Sequence, residues 1–319
     1  MIKALAITGP TASGKTALSL YVAERLGCEI ISCDSMQIYR EMDIGTAKAT
    51  AEEQARVPHH LINVVDPPEN YSAERYRAEA MAAAKDIAQR GKIPLFVGGT
   101  GLYIDTVIRG GASESPESDP EYRKKILKDI KSEEDKIALW ERLKAIDPES
   151  AEKTHYNNAK RVIRALEIYD KTGKPKSLFD KESLSHSPDI SVGMITLDFE
   201  SRELLYDRVD KRVDIMMAEG LYGEVKSLYK RGLLPEGSTA REAIGYKEII
   251  SAIEGRCTLE EAAEEIKLSS RRYAKRQLTW FRHEKSARRL TVDEGGKMRE
   301  KERLVDEALL LAEELLKTN

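Results

Sequence analysis

Gly9-Pro10-Thr11-Ala12-Ser13-Gly14-Lys15-Thr16 decides the fold of the N-terminal half. The run before it, Lys3-Ala-Leu-Ala-Ile-Thr8, is short, apolar and strand-like. The run after it, residues 16–26, repeats apolar side chains at helical spacing. Strand, glycine-rich loop and helix is the order that a phosphate-binding loop (P-loop) requires. Gly9 and Gly14 let the backbone bend and approach an anion closely. Successive N–H groups then form a nest at the positive end of the helix. Lys15 adds a point charge, and the Thr16 hydroxyl can ligate Mg²⁺. The loop predicts a ligand with at least two linked phosphates and leaves its identity open.

Outward from this loop, the first hundred residues alternate strand and helix. Glu29-Ile-Ile-Ser-Cys33 is an apolar strand ending at Asp34, and residues 61–65 form a weaker one. Residues 72–90 read as a helix with Ser72 as N-cap and Gly91 as its stop. Ile93-Pro-Leu-Phe-Val97 is a core strand, followed by Gly98-Gly99-Thr100-Gly101 and a further helix. The alternation predicts an α/β fold, a parallel sheet with helices on both faces. Ligands of such a sheet bind beyond the carboxyl ends of its strands.

Turn formers at 110–120 mark a boundary. From Glu121 to about Ser183 the pattern is helical in short amphipathic pieces, 185–191 are loop-like, and 192–199 return to strand character. The expected organisation is a P-loop α/β core, 1–114 and 192–319, carrying an all-helical insertion domain, 115–191. From Ser201 onward the chain reads as C-terminal helices. Gly220, Gly232, Gly245 and Gly255 are expected C-caps, and Thr258-Leu-Glu-Glu261 is a capping box for a long helix.

With 319 residues the chain can bury a substantial core in two domains. No apolar run approaches the roughly 20 residues of a membrane span. No signal peptide is expected. Cys28, Cys33 and Cys257 are too few and too irregular for a metal site or a disulfide framework. They read as buried structural thiols, and the expected setting is reducing and cytoplasmic. A monomer is expected. The net charge of −3 gives no sign of nucleic-acid binding on average. Residues 271–289 differ, with eight Lys/Arg against one acid and Tyr273, Trp280 and Phe281 interleaved. Such a stretch suits phosphates and stacking, or a solvated helix with Trp280 in the core.

Asp34 opens Asp-Ser-Met-Gln-Ile-Tyr-Arg40 at a strand end. A carboxylate there points toward bound phosphates and can serve as general base or Mg²⁺ ligand. An Asx turn is its plainer role. Asp43–Lys48 and Gly98–Gly101 are two more polar, glycine-containing loops on the same sheet edge, so a site is expected where the three converge. His59 and His60 lack ligand spacing and read as structural. The chain has no Asn/Thr-Lys-x-Asp element for guanine and no apolar run closing on Asp or Asp-Glu late in the sheet. Motor and switch hydrolases are thereby weakened. A P-loop small-molecule or nucleotide kinase stays open, as does an ATP-gated RNA-binding protein.

Gly9–Thr16, Asp34–Tyr39, Met42–Lys48, Pro58–Leu61, Gly98–Tyr103, Arg161–Glu167, Ile244–Lys247 and Ala274–Trp280 occur in that order. Through these motifs, and from about residue 3 to about residue 290, the chain resembles the bacterial tRNA dimethylallyltransferases, or isopentenyl-tRNA transferases. The resemblance implies transfer of a dimethylallyl group from dimethylallyl diphosphate to N6 of the adenine on the 3′ side of the anticodon. Mg²⁺ is the implied cofactor, and diphosphate rather than triphosphate occupies the loop. By the same resemblance Asp34 is the catalytic carboxylate, Thr100 lines the channel where adenine meets the allylic carbon, and Arg212 helps hold diphosphate. For Arg212 a helix-surface ion pair with Asp207 or Asp214 is the competing reading. The implied contacts to the tRNA anticodon stem-loop are Asp34, Ser35, Met36, Gln37, Thr100, Arg123, Lys160, Arg161, Arg164, Arg241 and Lys247. An adenine stacked in that loop must be extracted to react, and a single-stranded loop permits readout by base edges and stacking. No zinc-finger extension like that of some eukaryotic relatives is expected. Residues 302–316 read as an ordinary terminal helix.

Overall fold

The computed structural model describes residues 1–108, 119–184 and 189–318. Most of the expected boundary at 110–120, and residues 185–188 of the expected loop, lie outside the described residues. The first half runs β1 (Ile2–Thr8), α1 (Lys15–Leu26), β2 (Cys28–Ser32), α2 (Ala51–Arg56), β3 (His59–His60), α3 (Ala73–Gln89), β4 (Ile93–Gly98) and α4 (Gly101–Ile108). Five helices follow: α5 (Pro120–Asp129), α6 (Glu133–Ile146), α7 (Pro148–Glu152), α8 (Ala159–Thr172) and α9 (Lys176–Leu184). Then come β5 (Ile190–Asp198), α10 (Arg202–Ala218), α11 (Leu221–Lys230), α12 (Tyr246–Ile253) and α13 (Leu259–His283). The chain closes with β6 (Arg288–Thr291), a short antiparallel pair β7 (Asp293–Glu294) and β8 (Lys297–Met298), and α14 (Lys301–Thr318). Two compact units result, residues 1–108 with 189–319, and residues 109–188.

The main sheet has the strand order β3-β2-β4-β1-β5-β6, and every pairing in it is parallel. Side-chain alternation along β1 explains why both faces are covered. Leu5 and Ile7 pack with Leu20 and Val22 of α1 and with Ala308 and Ala312 of α14. Ala4 and Ala6 point the other way, toward Tyr76, Ala80, Ala84 and Ile87 of α3. Those four recur at helical spacing, which gives α3 one apolar face. Ser72 accepts a hydrogen bond from Arg75 N and starts that helix; Gly91, at φ 72°, follows its end.

Four expectations need correction. The weak strand lies at 59–60 rather than 61–65, because Leu61 and Asn63 adopt positive φ of 60° and 57° and turn the chain out of extension. Val65 makes only an isolated bridge with Tyr39. The C-terminal part is not helical throughout, since β6 pairs with β5 and extends the sheet edge. That ends α13 at His283 and divides the basic segment between a helix, a turn and a strand. Gly245, at φ 96°, starts α12 instead of closing a helix. Of the three thiols, Cys28 and Cys33 are buried, whereas Cys257 is half-buried.

The helical unit has its own small core of Leu143, Ala151, Val162, Ala165 and Leu166. Four of its helices, α5 to α8, begin at side-chain caps from Asp119, Ser132, Asp147 and Asn158, each supplying about 1 kcal/mol.

Candidate active site

The ends of β1, β4 and β5 lie in register, with Thr8 opposite both Gly98 and Thr196. The loops that leave these strands therefore start side by side. Gly9, at φ 142°, passes so close to β5 that a Cβ there would sit 2.8 Å from the Leu197 carbonyl oxygen. Ala12 also has a positive φ of 62°, and Gly14, at 94°, starts α1. This alternation of backbone hand turns successive N–H groups inward, as an anion nest requires.

One cavity of about 540 Å³ lies over the loop. Thr11 to Thr16 form its floor, and Asp34, Gln37, Thr46, Gly98 and Gly99 line it from the three loops that the sequence placed on one edge. Arg208, Lys211 and Arg212 come from α10, and Tyr273 and Gln277 from α13. With Lys15, the wall carries four cations against two carboxylates, Asp34 and Glu53. Lys15 Nζ donates to the carbonyls of Gly9 (3.0 Å) and Pro10 (2.7 Å). Burial, then the neighbouring Arg212 charge, push the Lys15 ammonium down to about 7, against the pull of Asp34. Arg212 is also lowered, mainly by burial, with Asp34 opposing. Cations held at such a cost accept an anion readily. Among the described residues the buried Ser13 Oγ has no hydrogen-bond partner.

Asp34 does two things at once. Its Oδ1 accepts from Met36 N (2.9 Å) and Gln37 N (3.3 Å), which is the Asx turn. Among the described residues Oδ2 makes no hydrogen bond, and the residue lines the cavity. Thr100 stands beside it: Oγ1 accepts from Ser35 N at 3.1 Å, and Thr100 N donates to the Cys33 carbonyl at 3.1 Å. Gln37 braces the neighbouring loop through Nε2 to Thr46 O and Ala47 O, both at 3.3 Å. Arg212 faces the cavity, while Asp214 pairs with Lys267 at 2.8 Å. The cavity-facing role therefore prevails over the surface pair.

The other expected contact residues are distributed. In the helical unit Lys160 and Arg161 are exposed on the first turn of α8. Arg123 and Arg164 both pair with Glu167, at 2.8 Å and 3.1 Å, and Glu167 is fully buried. In the core unit Arg241 donates to Glu254 (2.9 Å) and to Leu234 O (3.1 Å). Lys247 is exposed on α12 and lines a separate cavity with Arg241.

Several site residues were not expected from the sequence. Arg208 donates to Ala12 O at 2.8 Å and stands one helical turn before Arg212, so that i, i+4 spacing was the available signal. Glu224 accepts from Asp43 N (2.9 Å), Ile44 N (2.7 Å), Gly45 N (3.1 Å) and Tyr246 Oη (2.6 Å), which fixes the 43–48 loop. Gly45 is glycine because a Cβ would lie 2.6 Å from the Tyr246 ring. His59 Nδ1 donates to Val57 O at 2.7 Å and His60 Nε2 to Glu29 Oε2 at 2.8 Å, and neither lines the cavity.

The chain is similar along most of its length to proteins of one family. The family model described as IPP transferase matches residues 37–284, and that described as isopentenyl transferase matches residues 2–62. A tRNA dimethylallyltransferase of Thermoanaerobacter sp. (strain X514) is 47% identical over 282 residues, covering 88% of this chain and 89% of that protein. The solved full-length tRNA isopentenylpyrophosphate transferase of Bacillus halodurans is 41% identical, with a TM-score of 0.73, over 100% of this chain and 98% of that one. A eukaryotic dimethylallyltransferase solved acting on tRNA is 32% identical, with a TM-score of 0.76, over 91% of this chain and 74% of that one. Cationic phosphate cradle, opposed carboxylate and full-length likeness agree, and the chain belongs to the tRNA dimethylallyltransferase family, of bacterial type.

Proposed function

We propose that this cavity performs the family's reaction, transfer of the dimethylallyl group from dimethylallyl diphosphate to N6 of the adenine next to the anticodon of tRNA. The observation that carries it is the pairing of Lys15, Arg208, Lys211 and Arg212 around the loop with Asp34 in the same cavity. The adenine amine is a weak nucleophile, because its lone pair is delocalised into the ring. It needs a good leaving group and accurate placement. The amine nitrogen forms a bond to the allylic carbon as the carbon–oxygen bond to diphosphate breaks. Lys15, Arg208, Arg212 and the N–H groups of the nest stabilise the charge that develops on the departing diphosphate. Asp34 Oδ2 takes the amine proton. Thr100, hydrogen-bonded to Ser35 N, lines the approach of the base.

The donor set suits Mg²⁺. Thr16 and Asp34 offer oxygens in one cavity. No group of three His, Cys, Asp or Glu among the described residues forms a self-sufficient metal cage. That is the donor set of an ion held largely by phosphate and water, with Thr16 as the residue to hold it and Asp34 within the same cavity. When bound, Mg²⁺ supplies charge neutralisation at the diphosphate. For the nucleic acid, exposed Lys160, Arg161 and Lys247 are the phosphate contacts, and residues 34–37 meet the loop bases. Arg123, Arg164 and Arg241 shape those surfaces through their carboxylate pairs.

Incubating the protein and Mg²⁺ with labelled dimethylallyl diphosphate and unmodified tRNA tests the reading. Label is expected in tRNA, on N6 of the adenine 3′ to the anticodon. Folded protein that labels no tRNA, or that transfers phosphate from ATP to a small acceptor instead, sinks it in favour of the kinase.

A further inference from the structure

Helix α13 lays one row of side chains, three and four residues apart, onto the 98–101 loop. The Tyr273 hydroxyl lies beside Thr100 and Gln277. Trp280 covers Gly101 so closely that a Cβ there would sit 2.5 Å from the indole. Between them Gln277, only 6% exposed, spends both ends of its carboxamide. Its Oε1 accepts from Thr11 N at 2.8 Å, and its Nε2 donates to Gly99 O at 2.9 Å. The first partner belongs to the diphosphate loop, the second to the loop that ends in Thr100. A primary amide is well suited to this bridge, since it offers an acceptor and a donor in one plane.

We propose that Gln277 is a positioning residue for prenyl transfer, registering the departing diphosphate against the wall where the adenine amine attacks. The inference rests on the prenyl-transfer reading above. Thr11 N is committed to Gln277, so the nest that faces the anion is built from the N–H groups after it. A shift of one loop against the other then changes the line from leaving oxygen through carbon to nitrogen. It does so without removing any group that touches either substrate. Rate at saturation, rather than affinity, is the quantity this bridge governs.

Wild-type transfer of label to tRNA is measured first, so that failure of the reading is seen apart from failure of the bridge. Gln277→Glu keeps the size and the acceptor for Thr11 N, but sets a carboxylate oxygen against the Gly99 carbonyl. Its single-turnover rate at saturating substrates is expected to fall about 10–100-fold, as small misplacements of reacting groups do. The dissociation constants for dimethylallyl diphosphate and tRNA should stay within about threefold, since no contact made equally in ground and transition states is removed. The second arm approaches from the other loop. Gly99 has no left-handed backbone, and a Cβ there would lie 2.2 Å from Gln277 Nε2. Gly99→Ala should therefore show the same loss of rate, and Gly99→Ala with Gln277→Ser should be far less impaired than the product of the single effects, as coupled neighbours are. A saturated rate within about twofold of wild type in either folded single variant overturns the proposal. So does a loss explained wholly by weaker binding, or strict additivity in the double variant. If Gln277→Glu does not fold, the Gly99 arm decides by the same criteria.

Discussion

Lys15 and Asp34 show how much a single residue's surroundings alter its role. Burial, and then the Arg212 charge, push the Lys15 ammonium down to about 7; the negative charge of a bound diphosphate opposes both, so binding raises its pKa toward the ordinary 10.5. From pH 7 upward the protein alone loses the Lys15 proton while the complex keeps it. Affinity for dimethylallyl diphosphate should therefore fall by up to about tenfold per pH unit between pH 7 and 9, with proton uptake on binding. Calorimetry in two buffers of different ionisation enthalpy reads the uptake, and Lys15→Met should abolish it; a pH-independent affinity removes Lys15 from the anion site. Asp34 calls for a different substitution. Because Oδ1 holds the turn to Met36 and Gln37, alanine would disturb the loop as well as the chemistry. Asn keeps that acceptor and loses the base. Asp34→Asn should lower turnover by about 10²–10⁴, the range of general-base catalysis, with tRNA affinity changed by less than tenfold. Near-normal turnover would remove the proton-accepting role.

The elements differ in how far they can be read without the fold. α3 and α13 carry side-chain caps and apolar repeats, and α1 starts at Gly14 of the phosphate loop, so their presence and starts were legible. β6 has four residues and no alternation of its own, and pairing with β5 is what makes it a strand. The 43–48 loop was legible as a polar loop but not as a rigid one, since its partner Glu224 lies on α11. Glu224→Ala strips three backbone N–H groups and the Tyr246 hydroxyl of their acceptor. With water compensating part of it, the loss should be about 2–3 kcal/mol, read as a lower urea midpoint at unchanged slope. Turnover should fall with it, because Thr46 of this loop lines the cavity. An unchanged midpoint would show that the loop holds itself.

Across the whole molecule, two arginines on α8 that look alike in the sequence have separate tasks. Arg161 is exposed, and Arg161→Ala should weaken tRNA binding and flatten the log–log salt dependence by about 0.7–0.9. Arg164 pairs with the fully buried Glu167, which Arg123 and the Asp119 N–H also serve. Arg164→Ala should chiefly cost stability, by less than the ~3–5 kcal/mol of a fully broken buried pair, because those partners remain. A thermal-unfolding midpoint and a salt titration on both variants separate the two tasks; an equal salt slope in Arg161→Ala and wild type would make Arg161 structural too. By itself, the sequence determined the phosphate nest, the α/β alternation and the place of the Asp34 carboxylate at a strand end. Each depends on backbone conformation within a few consecutive residues, and eight contiguous residues suffice for the nest. Only the tertiary structure decided that Arg208 and Lys211 join Lys15 and Arg212 on the cavity wall, what holds the 43–48 loop, and that Gln277 ties together loops 266 and 178 residues away in the chain. Those contacts arise from how helices pack on the sheet edge, and no local spacing records which side chains that packing brings into reach.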